Sequence, residues 1–356
     1  MTTIWITSRP GEADVAAVGS DGTLLDYALW RPGAPDGVGD LHRGRVTALV
    51  PAMAGAFVAL GDGVEGFLPD TGRPDAGATV GDAIAVRIVR AAQAGKGPRL
   101  TARDLPSIQP GPPALISRGP SPVERLRALH PGAAVLADDP AWAARAGGSA
   151  SVDRAGPPED ACEQIAALAD PALRLPNGAT ISFHPTPALV AIDVDLGPLT
   201  AARGAKASVQ RDANRALIPT LARQIRLRDL SGAILIDFAG LAQRARAALA
   251  PALEAALTGD PQQTRLLGFT RLGLAELVRR RVHPPLHEQL AGPHAAALRA
   301  LAAAEAAGAT RVALAPPLAA ALEADAFARD DLARRTGRAL MLRVDPALPL
   351  GWRREA

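Results

Sequence analysis

Residues 189–238 read LVAIDVDLGPLTAARGAKASVQRDANRALIPTLARQIRLRDLSGAILIDF, and this stretch decides the fold. It opens and closes on apolar runs that end in aspartate, VAIDVD and AILIDF, joined by a segment with helical character that ends in LARQIRLRDL. Strand, helix, strand in that order predicts a layered α/β sheet. The period of two along a strand puts Asp193 and Asp195 on one face at the C-terminal end of the first run. Asp237 arrives at the corresponding place in the second run, after four apolar residues. Adjacent strand ends are where open α/β sheets build their sites. Aspartate in an apolar strand is costly unless it is paired or binds a cation, so the pattern points to a divalent metal. Magnesium suits it best, since it takes a few carboxylate oxygens and keeps several waters. The same aspartates also fit a plainer role as helix caps or turn formers, and spacing alone does not choose between the two.

Outward from this stretch the alternation continues. Downstream, a helix from Ala242 to Leu257, a strand RLLGFT and a helix over GLAELVRRR are predicted, then two alanine-rich helices and the strands RVALAP and RALMLRVD. Upstream, the first thirty residues read as two short strands joined by a turn, with IWIT, then VAAV, then the SDGT turn and LLDYALW, and the proline- and glycine-rich joint RPGAPDGVGD follows. From Leu41 to Leu105 many short β-like runs separated by turn residues suggest a small barrel. A proline-rich connector leads to SPVERLRALH, where Ser121 as N-cap, Pro122 and Glu124 form a helix-start signature. Strand AVLA, a helix from Pro140 and a helix over Pro158 to Leu168 come next.

The composition excludes several classes. Of 356 residues, 48% are apolar and 21% charged, so the chain is not disordered throughout and is long enough for more than one domain. Cys162 is the only cysteine, which rules out an intramolecular disulfide or a multi-thiolate zinc site and suggests a reducing compartment. The N-terminus lacks the layout of a signal peptide, and the longest uncharged stretch is too short to span a bilayer, so a cytoplasmic location with no transmembrane segment is expected. The net charge is only +3 and the basic residues are almost all arginine, a mild pointer to phosphate. Arg223 and Arg226, three apart on a helix with Arg228 near its end, serve either phosphate binding or the helix C-terminus. Arg271 and the run Arg279 to Arg281 invite the same two readings, phosphate or a solvated face. His283, His287 and His294 have prolines among them that spoil metal-ligand spacing. The glycines of GDGVEG, residues 61–66, are followed by FLPD rather than a helix, which argues against a dinucleotide site.

Three segments in series carry a resemblance: LPNGATISFHPTPALVAIDVDLG, IPTLARQIRLRDLSGAILIDFAGL and GFTRLGLAELVRRR. They resemble the catalytic core of the ribonuclease E/G family in order and spacing. DLHRGRV, VPAMAGAFVALGDGVEGFLP and GKGPRLTARDL resemble that family's S1-type RNA-binding barrel, and LISRGPSPVERLR with VLADDPAWAARA its RNase H-like part. The resemblance covers roughly residues 1–290.

It implies an α/β (α+β) chain of several subdomains. These are an RNase H-like part in two segments (1–38 and, with the connector, 106–178) and an inserted S1-type OB barrel (39–105), then a DNase I-like catalytic subdomain (179–285) and a small C-terminal remnant (286–356). It implies a magnesium-dependent endoribonuclease acting on single-stranded RNA, with metal-activated water attacking the phosphodiester and leaving a 5′-phosphate. Asp193 and Asp237 are the implied magnesium ligands. Asp195, also placed among the catalytic residues, stands where the family usually has asparagine. Phe57, Phe67 and Lys96 match the RNA-facing surface of the barrel, where core packing is the other reading of the two rings. With Arg223, Arg226 and Arg271 they make up the expected RNA contacts.

The sequence also departs from the family. No 5′-sensing domain interrupts the region after the barrel, and HPPLHEQLAGPH stands where paired cysteines would form a zinc link. A structural zinc is not expected, while a homodimer stays open. Ala216 and Gly240 replace acidic residues, and Pro219 enters a helix, where it either starts or kinks it. These departures keep a second reading in view, a non-catalytic RNA-binding protein derived from ribonuclease E/G.

Overall fold

Strands Thr2–Arg9, Glu12–Gly19 and Leu24–Trp30 form an antiparallel meander, and the first of them also pairs in parallel with Ala134–Ala137. With Ser151–Val152 at the far edge they make a five-stranded sheet in the order 151–152, 134–137, 2–9, 12–19, 24–30. The computed structural model describes residues 1–61, 63–72, 77–197, 207–238, 240–349 and 351–354. They divide into two compact units: Met1–Trp30, Leu126–Arg281 and Pro285–Ala356 in one, Arg31–Arg125 with Val282–Pro284 in the other. In sequence, the second unit is an insertion into the first.

The inserted unit is a closed five-stranded barrel. Strand Leu41–Val50 pairs with both Gly55–Gly61 and Ala83–Arg90, and Val64–Pro69 and Arg99–Thr101 complete the circuit. Val46, Val58, Leu60, Leu68, Val86 and Leu100 fill its interior. Its two ends are tied to each other: Asp40 accepts hydrogen bonds from Arg118 Nη1 and from the Gly119 amide, both at 2.7 Å. Just after them the expected helix start is present, with Ser121 N donating to Glu124 at 2.7 Å and Glu124 N to Ser121 Oγ at 3.3 Å.

The second sheet of the larger unit has six strands, ordered Ala172–Arg174, Thr180–Pro185, Leu189–Asp195, Gly232–Phe238, Ala275–Arg279 and Arg265–Phe269. Only the central pair, Leu189–Asp195 with Gly232–Phe238, is parallel, as a strand–helix–strand crossover requires. Ile192, Val194, Ile234, Ile236 and Phe238 point to one face. There they pack on Leu217, Ile218, Leu221 and Ile225 of helix Ala207–Leu227 and on Leu253 and Leu257 of helix Ala250–Leu257. The helix expected over GLAELVRRR is instead the strand Ala275–Arg279, with alternating burial, paired on both sides. Two neighbouring strands in need of partners outweigh the helix propensity of Ala, Leu and Glu. Pro219 does not start its helix but lies inside it, between Ala207 and Leu227.

The C-terminal region has its own small core. Leu298, Leu301, Leu318 and Leu322 from helices Gly292–Ala306 and Pro316–Ala324 cover a three-stranded sheet of Met341–Val344, Arg311–Leu314 and Trp352–Arg354. It docks on the first sheet where the 9–12 turn comes so near helix Ala326–Thr336 that any Cβ at residue 11 would collide with Ala328. Gly11, at φ +82°, is therefore needed both for the turn and for the approach. Among the described residues, no helix is long and apolar enough to cross a membrane.

Candidate active site

The parallel register places Asp193 directly beside Asp237, and the antiparallel neighbour puts Ser182 on the other side of Asp193. Side chains opposite one another in a sheet share a face, so Ser182, Asp193 and Asp237 form a row across three strands, on the face turned away from the helices. Asp193 and Asp195 are exposed, and the side chain of Asp237 is 49% exposed. Asp195 lies two residues further along the same face, where its Oδ1 accepts from the Gly197 amide at 2.8 Å and closes a turn.

One side chain that sequence reasoning missed reaches this row. Arg246, in the short helix Gln243–Arg246 after the second strand, sets Nη1 2.5 Å from Asp237 Oδ1. It is held there by the carbonyls of Leu241 at 2.9 Å and Gly273 at 3.4 Å. Gly273 belongs to the turn that carries Arg271, so that arginine is in the loop bordering Asp237. The only signal in the sequence was an arginine nine residues after an aspartate, which has no meaning until the path of the intervening turn is known.

The other arginines are elsewhere. Arg223 and Arg226 belong to helix Ala207–Leu227, on the opposite face of the sheet. Arg226 reaches Asp26 at 3.3 Å and the Leu25 carbonyl at 3.0 Å. Arg228 is buried, donates to the carbonyls of Ala167, Leu168 and Asp170, and lies over the Phe183 ring at 4.3 Å. Burial pulls its pKa down to about 10. Arg279 is also buried rather than solvated, bonded to Asp260 at 2.8 Å and Asp229 at 2.6 Å. Burial alone would raise the Asp260 carboxyl, but the hydrogen bonds and charge of Arg279 hold it below its ordinary value.

The donor set at Asp193 and Asp237 suits a hard cation. Two adjacent, solvent-reaching carboxylates give oxygen ligands only, and magnesium is commonly held by one or two carboxylates with water completing its shell. Among the described residues no group of three or more His, Cys, Asp or Glu is placed to hold a metal, so the row does not form an all-protein cage. The histidines do not cluster as ligands: His283 Nδ1 is 2.6 Å from Asp36, and His294 Nε2 is 2.8 Å from Asp325.

In the barrel, Phe57 and Phe67 are cross-strand partners, half-buried, with ring centroids 5.7 Å apart in an edge-to-face arrangement. Arg99, which the sequence reading also missed, lies 6.0 Å from the Phe67 centroid. Lys96 is exposed in the turn that leads into Arg99.

Paired carboxylates at neighbouring strand ends of an α/β sheet, in a chain that also carries a small β-barrel, define a protein with a candidate hydrolytic site. Residues 159–282, which contain this sheet's central strands and helices, match the model of the Ribonuclease E/G family. The chain is 34% identical over 119 residues to ribonuclease E of Nostoc sp., 33% of this chain and 17% of the relative. It is 35% identical over 117 residues to ribonuclease E of Escherichia coli, 33% of this chain and 11% of the relative. To ribonuclease G of Escherichia coli it is 30% identical over 119 residues, 33% of this chain and 24% of the relative. The match thus spans less than a quarter of the length of each of these relatives.

Proposed function

We propose that the chain is a magnesium-dependent endoribonuclease acting on single-stranded RNA in the cytoplasm. The observation that carries this reading is the register pairing of Asp193 with Asp237, inside a segment that matches a family whose named relatives are ribonucleases. Asp193 and Asp237 would hold the cation. Bound there, magnesium would supply positive charge against a phosphodiester and a more acidic water for in-line attack. Asp237 would share its carboxylate between that cation and Arg246, whose positive charge would compete with the cation for it. Asp195 keeps acceptor oxygens near the site but is engaged in its own turn, which favours a role in shaping the strand end. Arg271, on the bordering loop, would meet the RNA backbone.

The barrel supports the same reading. Half-buried aromatic rings with an arginine beside them are the makings of a stacking surface for unpaired bases. The finer architecture follows the same assignment. The order 151–152, 134–137, 2–9, 12–19, 24–30, a meander extended by parallel strands, supports an RNase H-like part, and the six-stranded sheet a DNase I-like catalytic part. Self-association as a homodimer without structural zinc completes the proposal.

Cleavage of a single-stranded RNA with and without magnesium tests it. The parent should cut only with the cation, and Asp193→Asn and Asp237→Asn should each lose at least a hundredfold in rate while melting like the parent. Equal cleavage by parent and variants would overturn the assignment.

A further inference from the structure

On the helical side of the same sheet, away from the aspartate row, helices Ala207–Leu227 and Ala250–Leu257 line an open cavity of about 450 Å³. One helix supplies Arg215, Pro219, Arg223 and Arg226; the other supplies Ala252 and Ala255. On a helix, residues spaced 215, 219, 223 and 226 fall on one stripe, about 16 Å long. The facing side chains stop at Cβ, and that is what leaves the space open.

The charge in this cavity is unbalanced. Among the described residues, none of its lining side chains is acidic. Arg226 is committed to Asp26 and to the Leu25 carbonyl. Arg223 is half-buried, and its Nε is enclosed with no hydrogen-bond acceptor among the described residues. Asp21, the carboxylate whose charge reaches Arg223, is itself bonded to Thr23, N at 3.1 Å and Oγ1 at 2.9 Å. Burial, and then the charge of Arg226, lower the pKa of Arg223, as expected of a cation short of a counter-ion. Arg215 stands exposed at the other end of the stripe.

A buried guanidinium N–H without an acceptor, in an open cavity with a second arginine eight residues away, is matched by an oxyanion that accepts several charge-assisted hydrogen bonds at once. Phosphate is the group whose shape arginine's fork fits. We propose that this cavity binds backbone phosphate of RNA, as a second contact on the far side of the sheet from the aspartates. The proposal rests on the reading of RNA as substrate. It gives Arg215 and Arg223 the role of holding a part of the RNA away from the scissile bond.

Fluorescence anisotropy with a labelled single-stranded RNA, in EDTA so that nothing is cut, tests it at several salt concentrations. The doubly substituted Arg215→Gln, Arg223→Gln protein should bind about tenfold more weakly. Its slope of log affinity against log salt should be shallower by about one, since each phosphate contact to a single strand contributes about 0.7. Ala255→Glu guards against a folding artefact, because it keeps every arginine and puts a carboxylate where the phosphate would sit. It should weaken binding similarly without lowering the melting temperature. Parent-like affinity in both variants overturns the proposal. So does stabilisation of the parent, but not the variants, by inorganic phosphate or AMP with RNA affinity unchanged, which would give the cavity to a small phosphorylated ligand. A parent that binds no RNA refutes the functional reading itself, a distinct result from equal binding by all three proteins.

Discussion

Replacing Arg246 by glutamine should tighten the hold of the site on a divalent cation. Arg246 Nη1 lies 2.5 Å from Asp237 Oδ1, so a cation reaching that carboxylate meets a positive charge already in contact with it. The magnitude follows from exposure. The Arg246 side chain is 15% exposed, but that of Asp237 is 49% exposed, so the pair is screened and belongs near the surface range of about 0.2–1 kcal/mol. A bare Coulomb figure at 4 Å in water gives about 1 kcal/mol as well. Removing the competitor should therefore lower the dissociation constant by up to about fivefold, since about 1.4 kcal/mol corresponds to tenfold. Manganese is a convenient probe, read by electron paramagnetic resonance as the free ion is depleted, with Asp193→Asn as the control that should abolish binding. Manganese affinity that is unchanged or weaker in Arg246→Gln, while Asp193→Asn still removes it, would refute the reasoning.

Three further outcomes are expected. Arg279→Met leaves Asp260, whose side chain is 3% exposed, without its cation, and should cost about 3–5 kcal/mol in urea unfolding, part of it recovered by adding Asp260→Asn. Because the folded-state pKa of Asp260 lies below its unfolded value, the stability it contributes is present above about pH 4 and is lost as the pH falls through the folded value. The urea midpoint of the parent should therefore fall more steeply below pH 4 than that of Asp260→Asn. Phe67→Ala should weaken single-stranded RNA binding by about 1–3 kcal/mol, the worth of one base stacked on an aromatic ring, with the loss read by anisotropy.

The central strands were legible because they obey a local rule. Alternation in VAIDVD and AILIDF fixes which residues share a face, and two buried strands flanking one helix can hardly avoid lying side by side. The start at Ser121 was legible for a similar reason, since the cap, the proline and the glutamate all lie within four residues. The strand Ala275–Arg279 was not, because what makes it a strand lies outside it. Its residues favour a helix, and only the unfilled edge of Gly232–Phe238 draws them into extended pairing. Arg246 and Arg279 were hidden in the same way. Arginine looks alike in solvent, against a carboxylate or in a buried network, and the difference is made by Asp237, Asp260 and Asp229, at separations of 9, 19 and 50 residues. Pro219 stands inside its helix and not at its start: its missing N–H costs one helical bond, and the apolar face of a 21-residue helix packed in a core is enough to carry the helix past it.

The knot of hydrogen bonds at Asp40 bears on how the chain gets folded at all. Thr3 pairs with Ala134, about 130 residues downstream, a separation that makes the first sheet slow to close by chance encounter. The barrel, however, can assemble from neighbouring segments, and when it does, Asp40 clasps Arg118 and Gly119 and draws the two ends of the detour together. A long detour then behaves as a short one. On a ribosome the order of emergence matches this sequence of events, with the detour complete before its host sheet receives the fourth strand. The host is thereby freed from the length of what has been placed inside it.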